Sequence, residues 1–117
     1  MFTKSIAPVF RVRDLDSALD HYVNVLGFSA DFRYGNYAGV KLGTILLHLT
    51  GGPHTAPVGV ATAYIYCEHV DQYHAALASR GAAIESAPRD WPYGMREFFV
   101  ADPDGNRLGF GCQLESA

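Results

Sequence analysis

The chain has 117 residues, 49% of them hydrophobic and 18% charged, with a net charge of −3. That size suits one domain with a modest core, and the balance is that of a folded protein, not a disordered one. The slight acidity argues against a nucleic-acid partner, no apolar run reaches membrane-spanning length, and the N-terminus lacks the apolar stretch of a signal peptide.

In chain order, Ile6 to Val12 is apolar and predicts a strand. Asp14 is placed to cap a helix, along which Leu15, Ala18, Leu19, Tyr22 and Leu26 recur on one face. Gly27 stands where a helix-ending glycine belongs. Three short strands are expected next, over Phe28 to Tyr34, Tyr37 to Leu42 and Ile45 to Thr50. Gly35-Asn36 and Gly43-Thr44 separate them with hairpin-turn chemistry.

Gly51-Gly52-Pro53 opens a polar, small-residue loop that runs to about Gly59 and reads as a linker. The order of elements then repeats. Ala61 to Cys67 predicts a strand, and Val70, Tyr73 and Leu77 mark a helix face that Gly81 closes. Ala83 to Ser86, Arg96 to Ala101 and Arg107 to Cys112 predict strands. Asp102-Pro103-Asp104-Gly105-Asn106 is a strong turn between the last two.

Leu15-Asp16 and Val70-Asp71 open the two helices 55 residues apart, and Gly27 and Gly81 end them 54 apart. A duplicated unit is favoured over coincidence, because element order, helix length and terminal glycines agree. The expected architecture is α+β, one domain over residues 1–117 with βαβββ repeats at about 5–50 and 61–112. Each unit has a helix on one sheet face only. Two such units can frame a curved cup between them, a natural ligand pocket.

Two segments carry a family resemblance. Val12-Arg13-Asp14-Leu15 through Leu26-Gly27-Phe28, and Phe98-Phe99-Val100-Ala101-Asp102-Pro103-Asp104-Gly105-Asn106, resemble the first helix and last hairpin of the glyoxalase/bleomycin resistance/dioxygenase (vicinal oxygen chelate) superfamily. Ala7-Pro8-Val9, Asp31-Phe32, Tyr37-Ala38-Gly39-Val40 and Trp91 followed by Gly94-Met95-Arg96-Glu97-Phe98 are similar to segments of its bleomycin resistance proteins. The loop from Gly51 to Gly59 has no match there, and Pro92-Tyr93 lengthens the usual Trp-Gly spacing.

The resemblance implies where a divalent metal would sit in the superfamily's enzymes. The four ligand positions fall on Ala7, His48, Thr62 and Gly109. Ala and Gly offer no donor and a Thr hydroxyl is a poor one, so one imidazole is left. The expectation is therefore no metal, no cofactor and a binder in preference to an enzyme. A glyoxalase-like lyase or isomerase, or a dioxygenase-family enzyme with a non-standard site, remains the alternative, with His48 and either Glu97 or Tyr37 as acid–base groups. A vestigial or regulatory pocket is the third reading.

For a binder, the expected ligand contacts are Phe32, Tyr37, His48, Trp91, Tyr93, Glu97 and Phe110, with Tyr34 as a further aromatic. Aromatic rings suit a flat or cationic molecule, and Asp31, Asp90 or Glu97 can complement a positive charge. About half of the aromatics are expected to be core or dimer contacts instead. Trp91 is singled out because Pro88 to Gly94 has loop chemistry. The resemblance at Ala7-Pro8-Val9 implies a strand-exchanged homodimer with clefts at its interface, sequestering bleomycin or a similar antibiotic. Of the other histidines, 21 and 74 are expected on helix surfaces, 69 near a helix start and 54 in a loop. Cys67 and Cys112, both in strand-like runs, are expected to be reduced thiols in a cytoplasmic protein.

Overall fold

A computed structural model describes residues 1–53 and 56–115. His54 lies outside the described residues. The first half runs β1 (Val9–Arg11), α1 (Leu15–Asp20), a π-helical continuation (His21–Val25), β2 (Ser29–Tyr34), β3 (Tyr37–Leu42) and β4 (Ile45–Thr50). The second runs β5 (Thr62–Tyr66), α2 (Val70–Ser79), β6 (Ala83–Ile84), β7 (Arg89–Trp91), β8 (Met95–Ala101) and β9 (Arg107–Gln113). Each half makes its own mixed sheet. The strand orders are β1-β4-β3-β2 and β5-β9-β8-β6, with β7 also paired to β8. In each sheet the first strand lies parallel to the last, which requires the intervening helix to cross over one face.

The helices begin and end for local reasons. The Asp14 carboxylate accepts from the Ser17 backbone N–H at 3.0 Å, which caps α1. Gly27 and Gly81 both hold φ near +82°, so both helices stop at a left-handed residue. His69 precedes α2 with φ 56° and makes no side-chain cap. From His21 the first helix widens to the π form, and the Leu26 N–H bonds back to the His21 carbonyl at 3.1 Å.

The structure shortens the first predicted strand to three residues. Pro8 has no N–H to donate, but its carbonyl accepts from the His48 N–H at 2.9 Å, so pairing starts there. Met1, Phe2 and Ile6 lie in an extended arm and are fully or almost fully exposed. The second difference concerns Pro88 to Gly94. Residues 89–91 form a strand, not a loop, and Trp91 pairs with Met95 around a tight turn. β6 and β7 lie against the two ends of β8, as one edge strand interrupted at residues 85–88. Their counterpart β2 is irregular too, with a register shift between Ala30 and Phe32. Irregular edges of this kind resist unwanted strand addition.

One continuous core joins both halves. Phe10, Leu15, Tyr22, Leu26, Leu47 and Leu49 come from the first, and Leu77, Phe98, Val100, Leu108 and Phe110 from the second. A buried polar joint holds them in register. Asn106, with no exposed surface, accepts from the Ala61 N–H at 3.1 Å and donates to the Arg11 carbonyl at 3.0 Å. Its amide also donates to Asp102, and the buried Tyr22 hydroxyl donates to the same carboxylate at 2.9 Å. Burial, with the Asp102 charge next, pushes the Tyr22 phenol well above its ordinary value, so it stays a donor.

Candidate functional site

Side chains alternate along each strand, so each sheet has a helix-bearing face and an open face. On β4, Leu47 and Leu49 are buried toward the helices and His48 is turned the other way. On β3, Tyr37 and Gly39 share the open face with His48, since Gly39 and His48 are register partners. Phe32 of β2 pairs with Gly39. Its ring lies where a Cβ on Gly39 would stand, so only glycine fits beneath it. Phe32 stacks with Tyr37 at 6.3 Å between ring centres and meets His48 edge-on at 5.1 Å. The Tyr37 hydroxyl is hydrogen bonded to His48 Nδ1 at 2.9 Å. Phe32, Tyr37 and His48 therefore form one aromatic patch, with Tyr34 at its exposed rim.

The second sheet builds its open face differently. Glu97 is only 8% exposed yet sits beyond the core, opposite Gly111 on β9. The Tyr64 hydroxyl donates to Glu97 Oε1 at 3.0 Å. The Tyr64 phenol is raised above its ordinary value by burial and then by this carboxylate. The exposed Tyr93 phenol is also raised, by desolvation first and then by the nearby Glu97 carboxylate. The protonated Tyr64 phenol thus holds one buried carboxylate in place. Beside them, Trp91 and Tyr93 are stacked at 6.0 Å with planes 10° apart. The Arg89 guanidinium lies over the Trp91 ring at 4.0 Å. Tyr64 lies across Gly109 and Gly111, and Phe99 also covers Gly109. Any side chain at Gly109 would collide with both rings.

The expected contacts thus fall into two sets. Phe32, Tyr37 and His48 are together on the first sheet, and Trp91, Tyr93 and Glu97 on the second. No hydrogen bond or ring contact joins the two sets among the described residues. Phe110 belongs to neither. It is 1% exposed on the helix-bearing face, against Tyr73 at 4.8 Å and Phe98 at 5.4 Å. Of the acidic candidates, Asp31 faces Lys41 at 3.9 Å and Asp90 pairs with Arg96 at 2.9 Å. Among the other histidines, His74 packs edge-on against Phe98 at 5.2 Å, and His21 is half-buried.

Tyr64 and Arg89 were not legible as site residues. The alternation Thr62-Ala63-Tyr64-Ile65-Tyr66 held the signal for Tyr64, because it sets Tyr64 and Tyr66 on the face that carries Gly109 and Gly111. An apolar cavity of about 380 Å³ also opens between the N-terminal arm, β4 and β5. It is bordered by Ile6, Pro8, Leu46, Tyr64 and Tyr66 and is not lined by Trp91 or His48.

The four positions matched to metal ligands can now be tested as donors. Val9 pairs with His48 and Tyr64 with Gly109, so His48 and Gly109 occupy equivalent places in the two halves. At Gly109 two aromatic rings fill the space a ligand side chain would need. Ala7 has no donor, Thr62 at the start of β5 offers only a hydroxyl, and His48 Nδ1 is engaged by Tyr37. These residues do not fit a divalent ion.

Paired βαβββ units, each with a helix-covered face and an open aromatic face, define the class of this fold. The chain belongs to the Glyoxalase/Bleomycin resistance protein/Dioxygenase superfamily, whose family model matches residues 5–110. It is similar to a bleomycin-binding protein from bleomycin-producing Streptomyces verticillus, solved in complex with copper(II)-bleomycin. The two share 27% identity over 99% of each chain, with a TM-score of 0.80. A glyoxalase/bleomycin resistance protein from Streptomyces sp. CB03234 is 29% identical, covering 89% of this chain and 96% of that one, with a TM-score of 0.75. The bleomycin resistance determinant encoded on transposon Tn5 shares the fold at a TM-score of 0.82 and 24% identity, over 97% of this chain and 100% of that one. No curated protein matches the sequence.

Proposed function

We propose that the protein is a metal-independent binder that sequesters an aromatic, cationic antibiotic of the bleomycin kind. The observation that carries this reading is the open face of the second sheet. There a stacked Trp91–Tyr93 pair stands beside the phenol-anchored Glu97 carboxylate. Flat rings stack on the indole, and a positive group gains from both the ring faces and the fixed charge. The Arg89 guanidinium 4.0 Å from the centre of the Trp91 ring supports a site where positive groups meet aromatic faces. Sequestration needs only affinity, so it does not require the metal-ligand cluster that is missing among the described residues.

The working form we propose is a homodimer in a cytoplasmic setting. The extended arm carries Met1, Phe2 and Ile6 out into solvent, and such apolar residues gain by packing on a second copy. Removing residues 1–7 is expected to shift the protein from dimer to monomer in sedimentation. An unchanged sedimentation coefficient would overturn the exchanged-arm assembly.

Titration with bleomycin, followed by Trp91 fluorescence and by calorimetry, tests the ligand. Saturable quenching with one ligand per Trp91 is expected. Neither quenching nor heat at high micromolar ligand would overturn the bleomycin reading.

A second reading rests on the Tyr37–His48 hydrogen bond, a phenol–imidazole pair on an open face suited to moving a proton. It makes the protein a lyase or isomerase. Turnover of thiol–aldehyde adducts that vanishes in His48→Ala would favour it over the binder.

A further inference from the structure

The second half places two thiols side by side, away from both open faces. Tyr66 of β5 is in parallel register with Gly111 of β9, and the Cys67 N–H donates to the Gly111 carbonyl at 2.8 Å. The pairing therefore runs one residue past β5 and sets Cys67 beside Cys112. Adjacent strands lie about 4.8 Å apart, within the roughly 4.4–6.8 Å between Cα atoms that a disulfide spans. Alternation turns both side chains to the helix-bearing face, Cys67 following Ile65 and Cys112 following Phe110. Both are half-buried free thiols. Burial raises the Cys67 thiol above its ordinary value, and the nearby Cys112 raises it further. Each thiol also borders an opening. Cys67 lines a cavity of about 440 Å³ with His69, Gln72 and Tyr73, and Cys112 lines one of about 350 Å³ with His69, Gln72 and Arg96.

We propose that Cys67 and Cys112 form a reversible cross-strand disulfide when the protein meets hydrogen peroxide. The Cys112 sulfur attacks one peroxide oxygen and the O–O bond breaks, leaving a sulfenic acid and one water. The Cys67 sulfur then attacks the Cys112 sulfur. The S–S bond forms, the S–O bond breaks, and hydroxide leaves with the Cys67 proton as a second water. The two thiols lose two electrons and one peroxide gains them. A dithiol reductant reverses the step. The bond ties the end of β5 to β9, and only Glu68 and the left-handed His69 separate that tie from α2. Oxidation thus braces the sheet at the point where the chain enters its second helix.

Intact-mass analysis of the whole protein, before and after peroxide and without reductant, tests the proposal. The expected result is the loss of two hydrogens and one proteolytic fragment linking Cys67 to Cys112. Thermal unfolding should also rise by several degrees on oxidation and return with reductant. Cys67→Ser should instead gain oxygen at Cys112 and show no such rise. Untouched thiols, oxygen additions without a link in the unsubstituted protein, or only intermolecular cross-links would each overturn it.

Discussion

The two halves share one ground plan and fill it in different ways. In the first, Phe32 covers Gly39 and an imidazole–phenol pair stands beside it. In the second, Tyr64 and Phe99 cover Gly109, the place equivalent to His48, and the polar group is a buried carboxylate held by the Tyr64 phenol. The hairpins differ as well. β3 and β4 are joined by Gly43-Thr44 alone, whereas the turn at 102–106 supplies the polar joint between the halves. A duplicated scaffold can thus keep its core while its two copies diverge in the packing of their open faces and in the hairpins that close them.

Breaking the joint is expected to have the largest effect. Asn106→Ala strands the Ala61 N–H and removes the amide bonds to Arg11 and Asp102. A loss of about 3 kcal/mol is expected, since each buried polar group left unpaired costs about 1–3 kcal/mol. The urea midpoint of unfolding measures it.

Gly109→Val sharpens the contrast between the open faces. Two rings must move at once, and a loss of about 2 kcal/mol is expected by the same urea titration. Gly39→Val displaces Phe32 alone, a half-buried ring on an edge strand, and about 1 kcal/mol is expected. Equal losses would show that the two faces are packed alike.

Tyr22→Phe probes the link from the first helix to the joint. Asp102 keeps its bonds from Asn106, so about 1.5 kcal/mol is expected.

The smallest effect belongs to His21, whose pKa burial lowers, with Asp102 and Asp20 opposing. The unfolded chain takes up this proton first as pH falls. Its stabilising contribution is complete above the ordinary value of 6.5 and is lost as pH falls through the lowered folded value. His21→Gln is therefore expected to narrow the difference in urea midpoint between about pH 7.5 and about pH 5.5. An unchanged difference would assign the acid sensitivity to other groups.

Periodicity alone set out most of this architecture. The capping Asp14, the paired Gly27 and Gly81 and the helical spacing from Leu15 to Leu26 mark one unit, and Val70 to Gly81 marks its copy. Alternation along Ile45 to Thr50 also turned His48 away from the helices. Local signals of this kind are carried by neighbours in sequence, so they are readable without a structure. Only the tertiary structure decided what faces what. It turned Phe110 into the core, made Trp91 a strand residue beside Arg89, and laid Tyr64 across two glycines to reach Glu97. Those outcomes depend on the register between strands far apart in the chain, and a single step in register exchanges one face of a sheet for the other.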